Sequence, residues 1–425
     1  MIRNPKAILA LLTGLNLLNY LDRYVVSAVL PRVQAKLDMS NFEGGLLATL
    51  FLIGYFATSP FFGHVGSRGP RKGLIAMGVA IWSLATVGSG LANGTLSLLA
   101  ARALVGVGEA SYATLAPTLI DDLAPQDRKA KWLSVFYVAA PVGSALGYIV
   151  GGFVEKAAST WPWPLFQDGN GWRGAFFVAG GPGLLLALSC LLIQEPARTE
   201  GPNKLPLLDS IRTLGRLAQY RTSVLGYCAY TAAVGGFSYW APKFLFERYR
   251  MELSHANFVF GVITVAAGTI GTAVGGVWGD RAVRAIPGGE GDVAAERRRV
   301  AVYLRICAVG SAIGAPLAVG CFLSPSPAVF FVLVFFCEVA LFLSTSPINA
   351  AILRSVPATL RASAMALSIF GIHILGDLWS PPAVGLLADH MPIWLAMMSL
   401  PAAILLSAII WWPRAGASRA VAIDP

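Results

Sequence analysis

The chain has 425 residues, of which 56% are hydrophobic and 13% charged. A water-soluble protein carries roughly 25% charged residues to cover its surface, so most of this exterior faces something other than water. Repeated apolar runs of about 20 residues identify that surrounding as a bilayer. The net charge of +10, from 32 Lys and Arg against 22 Asp and Glu, is accounted for by topology and calls for no nucleic-acid partner.

Backbone groups in lipid must be satisfied within their own segment, so the apolar runs are read as helices. The first, opening MIRNPKAILALL, is charged and then apolar, as a signal peptide would be. No small-residue cleavage site follows and the run continues to full length, so it is taken as the first span. Twelve spans are predicted, at about 6–30, 43–65, 73–93, 95–121, 131–155, 172–194, 221–246, 256–281, 300–323, 327–353, 361–388 and 392–413. Pro31, SRGPRK at 67–72, PQDRKAK at 125–131 and IPGGEGD at 286–292 punctuate them. The longest polar connector, 195–220, separates two six-helix bundles at 1–194 and 221–425. Its LLDSIRTLGRLAQY has apolar residues at helical spacing and is expected to form an interfacial helix.

Charge asymmetry orients the spans. With the N-terminus in the cytoplasm, that side receives Arg3, Lys6, Arg68, Arg71, Lys72, Arg128, Lys129 and Lys131, the linker's basic residues, Arg281, Arg284, Arg297–Arg299, Arg354, Arg361, Arg414 and Arg419. The other side holds Arg32, Lys36, Lys156, Arg173, Lys243, Arg248 and Arg250. The positive-inside rule then places both termini in the cytoplasm.

The halves echo each other. GHVGSR at 63–68 matches GVWGDR at 276–281, and Pro125, Arg128 and Ser-Val-Phe at 134–136 match Pro357, Arg361 and Ser-Ile-Phe at 368–370. Each echo joins equivalent spans, which implies a duplicated six-helix unit, a transporter architecture. The five cysteines all fall in apolar runs without a CxxC pair, and the four histidines are scattered. Neither disulfides, a metal centre nor a cofactor is expected. An intramembrane enzyme would need a clustered nucleophile and base, and no such constellation is visible.

At these motifs the chain resembles the major facilitator superfamily, whose loop signature is G-x-x-x-D-R-x-G-R-R/K. GHVGSRGPRK matches at Gly63, Arg68, Arg71 and Lys72, with Ser67 in place of the acid and Pro70 in place of the later glycine. The second-half copy keeps Asp280 and Arg281. NYLDRYVVSAVLP at 19–31 and RALVGVGEASYATLAPTLIDDLAP at 102–125 closely resemble the Spinster family of lipid transporters. The resemblance implies an all-α membrane protein with the major facilitator fold. It further implies alternating-access transport of an amphiphile with an anionic or zwitterionic head, such as a lysophospholipid or a phosphorylated sphingoid base. Proton coupling is implied as well. Short termini and tight loops point to a bacterial member, a monomer in the inner membrane. The family's helix-one acid falls on Asp22, its arginine on Arg23, and its helix-four pair on Arg102 and Glu109.

Depth and azimuth sharpen these assignments. At about 1.5 Å rise per residue, Asp22 lies roughly 24 Å up from Lys6, and Arg102 about 10 Å down from the opposite side. In a core about 30 Å thick the two reach similar depths. Glu109 lies seven residues, or two turns, beyond Arg102 on the same face, and Asp22 and Arg23 diverge by about 100°. Charges at such depth cost about 2.5–3.5 kcal/mol and face a cavity with partners. The plain alternative is an ion pair tying helix one to helix four.

Burial favours the neutral carboxyl and a nearby arginine the charged one, so a glutamate between the two influences suits a coupled carrier. Glu109 is the expected protonation site, with Asp22 modulating it. Arg102, a permanent cation suited to phosphate, is expected to alternate between carboxylates and headgroup. Arg23, Glu338, Tyr20, Tyr112 and Phe136 complete the expected substrate contacts, and His373 and Asp377, one turn apart, are read equally as a mutual pair. On the inner side Asp280 can accept hydrogen bonds from the start of a neighbouring helix and can pair with arginines such as Arg361. Arg68, Arg71 and Arg281 are the other expected gating residues. Since Ser67 carries no charge, either a weaker inner latch in the first half or substitution by Asp121 or Asp122 is expected. The rivals are an organic-anion, sugar-phosphate or drug carrier on the same fold, and a passive lipid scramblase.

Overall fold

The computed structural model describes residues 1–125, 128–196, 207–288 and 292–413. Parts of the PQDRKAK and IPGGEGD connectors, residues 197–206 of the linker, and the basic residues Arg414 and Arg419 lie outside them. Among the described residues the chain is helical, and the one extended pairing is a bridge between Ile2 and Ile193.

The first four helices are α1 (Pro5–Leu37), α2 (Asn41–Arg68), α3 (Arg71–Leu91) and α4 (Thr95–Leu123). The fifth predicted span is two helices, α5 (Lys129–Tyr137) and α6 (Ala139–Ala158), and α7 (Trp172–Leu191) is the sixth. The linker carries the expected amphipathic helix, α8 (Leu207–Arg216). Then follow α9 (Ala218–Tyr249), α10 (Leu253–Arg284) and α11 (Val293–Leu323). The tenth predicted span breaks into α12 (Pro327–Phe342) and α13 (Thr345–Arg354). The eleventh becomes α14 (Arg361–Ile372), a π-helical turn at His373–Asp377, and α15 (Ser380–Ala388). The twelfth is a short α16 (Ile393–Ala396) and α17 (Ser399–Trp411).

Local chemistry sets these boundaries. Asn4 caps α1 by accepting from the Lys6 amide, with Pro5 at the first helical position. Asp38 ends α1 in the left-handed region at φ 53°. Ser40 and Glu43 then form a reciprocal capping box that starts α2. Asp292 caps α11 through the Ala294 and Ala295 amides.

Ten helical segments among the described residues are long and apolar enough to cross a membrane. The first and seventh predicted spans, α1 and α9, are also long but carry more polar residues. The burial pattern reverses that of a soluble protein: Leu185 is 72% exposed, whereas Arg102 is 1% exposed. Apolar side chains on the outside and charges on the inside are what lipid selects.

The chain forms two compact units. The first takes the described residues of Met1–Pro202, Ser238–Val265 and Pro381–Ile393; the second takes those of Asn203–Phe237, Ala266–Ser380 and Trp394–Pro425. In the first unit α4 packs between α2 and α3, α1 packs on α6, and α3 on α7. The glycines of RALVGVGEASY make this closeness possible. A Cβ at Gly106 would collide with the Phe51 carbonyl oxygen on α2, and one at Gly108 with the Trp82 amide on α3. In the second unit α11 is central, packed on α12, α13 and α17.

Candidate substrate and coupling site

Four charged side chains from α1 and α4 meet inside the first unit as two crossed ion pairs. Arg23 Nε lies 2.7 Å from Glu109 Oε2, and Arg102 Nη1 lies 3.4 Å from Asp22 Oδ1. Asp22, Arg102 and Glu109 are each no more than 1% exposed. Because Asp22 and Arg23 are adjacent on a helix they diverge in direction, and each takes the opposite charge on α4 nearest its own face.

Neighbours outside these four complete the site. The Thr86 hydroxyl on α3 donates to Asp22 Oδ2. Three rings surround the Arg23 guanidinium: Tyr20, Phe51 and Tyr55, with centroids 4.9, 5.0 and 5.4 Å from its Cζ. Arg102 also lies over the Phe51 ring, at 5.4 Å. Thr86, Phe51 and Tyr55 were not legible as site residues, since a threonine or an aromatic in an apolar helix reads as packing. The pairs are incompletely satisfied: among the described residues, Arg102 Nε and Glu109 Oε1 are buried with no hydrogen-bond partner. A donor and an acceptor left open beside two arginines are suited to receiving an oxyanion and a proton.

Tyr112 and Phe136 sit deeper in the packing. The Tyr112 hydroxyl donates to the Leu12 carbonyl, and its ring contacts Trp82 and Phe136 at centroid distances of 5.4 and 6.1 Å. Asn16 donates to the Phe136 carbonyl at 2.9 Å.

One end of the first unit is tied by polar contacts reaching α9, the connector between α9 and α10, and the end of α15. Lys243 Nζ donates to Gln34 Oε1 at 2.5 Å and Asn41 Oδ1 at 2.6 Å, and pairs with Glu247 at 3.2 Å. Asp389 accepts from the Asn41 and Phe42 amides at 2.7 and 3.0 Å, capping the N-terminus of α2. Tyr239 donates to the Gly44 carbonyl at 2.6 Å, and Trp240 to the Pro381 carbonyl at 2.9 Å. Lys156 pairs with Glu252 at 2.7 Å and Arg32 with Glu155 at 3.1 Å.

The other end holds the loop motif. Arg71 pairs with Asp122 at 2.7 Å and lies 3.9 Å from Glu195, which also accepts from the Lys72 amide at 2.6 Å. Glu195 therefore supplies an acid at the start of α3 that the sequence reading missed. Asp121 pairs with Lys129 at 2.7 Å, and Arg68 contacts His64 at 2.7 Å. Of the two acids expected to stand in for Ser67, Asp122 is the one on Arg71.

In the second unit the expected pair between Asp280 and Arg361 is not formed. Asp280 is exposed, and among the described residues it makes no ion pair; Arg361 Nε donates to the Leu353 carbonyl at 3.2 Å. Glu296, at the start of α11, takes the basic partners instead, pairing with Arg299 and with Arg354 at 3.0 Å. Arg281 is exposed in the last turn of α10. Glu338 is buried on α12 beside a cavity lined by Ala233, Phe237, Cys321, Phe322, Leu341 and Leu400. His373 and Asp377 meet at 2.9 Å across the π-helical turn, where Gly235 of α9 leaves room for the Asp377 side chain. All five cysteines are buried and unbridged.

Comparison with known proteins agrees with this architecture. The Major Facilitator Superfamily pattern matches residues 12–376. The chain is 35% identical to Protein spinster of Drosophila melanogaster over 388 residues, covering 88% of this chain and 60% of that longer protein. It is 32% identical over 446 residues to "Probable sphingolipid transporter spinster homolog 2" of Arabidopsis thaliana, covering 96% and 86% of the two chains. Its fold is similar to a crystal structure of a bacterial homologue of the human lysosomal transporter Spinster, with a TM-score of 0.83, 20% identity and coverage of 97% of each chain. The chain is a multi-pass membrane transporter that belongs to the Major Facilitator Superfamily and, within it, to the Spinster family.

Proposed function

We propose that the protein is a proton-coupled carrier of a single-chain amphiphile with a phosphate-bearing head, a lysophospholipid or a phosphorylated sphingoid base, working by alternating access. The observation that carries the reading is the pair of crossed, buried and incompletely satisfied ion pairs in the first unit. Arg23 and Arg102 are the cations for the headgroup, and Glu109 is the site that exchanges a proton as Arg23 moves between its carboxylate and the substrate. Asp22 holds Arg102 when no headgroup does. The similarity to the "Probable sphingolipid transporter spinster homolog 2" of Arabidopsis thaliana supports the lipid class.

The polar contacts around Lys243 and Asp389 act as the outer latch in this reading, and those around Arg71, Asp122 and Glu195 as an inner one. The charge pattern supports an orientation with both termini in the cytoplasm, and in this reading the carrier works as a monomer in the inner membrane.

The test of substrate class is a screen in proteoliposomes. Flux of single-chain phospholipids should fall steeply as the chain shortens, by the loss of about 0.8 kcal/mol per buried methylene. An organic-anion carrier would take short-chain and long-chain anions alike. A passive scramblase would show flux insensitive to an imposed pH gradient.

A further inference from the structure

The two ion pairs of the first unit share one aromatic ring. Phe51, 5% exposed on α2, has the Arg23 Cζ 5.0 Å and the Arg102 Cζ 5.4 Å from its centroid. Tyr20 and Tyr55, the other rings of the site, have their centroids 4.9 and 5.4 Å from the Arg23 Cζ. A guanidinium bonds acids through its edge and stacks on rings through its face. A ring on the face therefore leaves the edge N–H groups available to oxygen. Those edges are only partly used: Arg102 reaches Asp22 through a single contact at 3.4 Å, and its Nε has no hydrogen-bond partner among the described residues. The backbone that carries the ring is fixed against α4, because the bare Cα of Gly106 lets α4 approach the Phe51 carbonyl.

We propose that Phe51 is the positioning residue that presents Arg23 and Arg102 together to one phosphate-type oxyanion, keeping both guanidinium faces while their edges exchange carboxylate for headgroup. The proposal rests on the phosphate-bearing substrate reading above and names what makes two arginines on different helices act as one site. Attraction between a cation and a ring face persists whichever acid holds the edge, so Phe51 remains a partner before and after the exchange. Carboxylates alone would not do this, because each releases its arginine when the headgroup arrives.

The test uses the full-length protein with Phe51→Leu, which removes the ring, and with pentafluorophenylalanine at position 51, which nearly keeps the shape and reverses the charge distribution of the ring face. Binding is measured for 1-palmitoyl lysophosphatidate and for monopalmitoylglycerol, which differ only in the phosphate. Both substitutions should weaken lysophosphatidate binding about ten-fold, the scale of re-ordering arginine side chains that the ring no longer holds in place, and leave monopalmitoylglycerol unchanged. Wild-type affinity for lysophosphatidate in the pentafluoro variant would overturn the positioning role while leaving the substrate reading intact. A wild type that gains nothing from the phosphate would overturn the substrate reading and this proposal with it. Thermal-unfolding cycles of Phe51→Leu with Arg23→Gln and with Arg102→Gln supply a ligand-free check. Non-additive midpoint shifts are expected in both cycles, and additivity in either contradicts a shared ring.

Discussion

Arg23 Nε approaches Glu109 Oε2 to 2.7 Å, so the glutamate of α4 is paired from α1 rather than by Arg102, two turns away on its own helix. Arg102 in turn pairs with Asp22. Each helix therefore supplies one cation and one anion, and moving either arginine to a substrate leaves a buried carboxylate without its partner. Removing one member of a buried pair costs about 3–5 kcal/mol, and in the proposed function that cost is what links headgroup binding to protonation of the carboxylate left behind.

The hydroxyl of Thr86 is part of this balance, because it donates to Asp22 Oδ2. Thr86→Val keeps the side chain's shape and strands a buried carboxylate oxygen, at a cost of about 1–3 kcal/mol. Thermal unfolding of the purified protein should show a lower midpoint for Thr86→Val and a nearly unchanged one for Thr86→Ser. A wild-type midpoint in the valine variant would show that the hydroxyl contributes nothing to Asp22.

Asp389 caps α2 through the Asn41 and Phe42 amides. Asp389→Ala removes both acceptors and should cost about 0.5–2 kcal/mol, the range for a helix cap. Hydrogen exchange of the Asn41 and Phe42 amides should accelerate, while that of the α1 interior stays unchanged. Unaltered exchange at these two amides would remove Asp389 from the latch.

Lys156, hydrogen-bonded to Glu252 in the connector between α9 and α10, holds its carboxyl below the ordinary value of 4.5. A carboxyl depressed in the folded state contributes stability above its unfolded pKa and loses it as pH falls through the folded value. The Glu252 carboxylate therefore stays ionised throughout the pH range above the ordinary carboxyl value. Glu252→Gln should displace the transport–pH profile vertically without altering its shape in that window. A flattened profile would make Glu252 a contributor to coupling.

The four charges of the site were legible in the sequence because Asp, Arg and Glu stand out in apolar runs, and helical rise gives their relative depths. Their exchange of partners was not, since which of two adjacent residues faces which charge depends on helix rotation. Phe51 and Thr86 carry no signal that separates a site residue from lipid-facing or packing residues. Glu195, Glu296 and Asp389 lie at helix termini or in connectors, and apart from Arg299, three residues after Glu296, their partners are distant in sequence. The breaks at Val138, at Leu343–Ser344 and in the turn at His373–Asp377 were equally hidden. A hydrophobic run reports that a segment crosses lipid, while a kink is set by packing against neighbours.

The most direct test of the central claim is transport of a lysophospholipid into proteoliposomes under an imposed pH gradient, with wild type and Glu109→Gln compared at equal protein density. The glutamine keeps the size of the side chain and neither gains nor releases a proton. The account predicts that Glu109→Gln loses the gradient-driven component by about ten-fold or more, the scale of a step that requires proton transfer, while binding of the lipid persists. Full gradient-driven turnover in Glu109→Gln would contradict it.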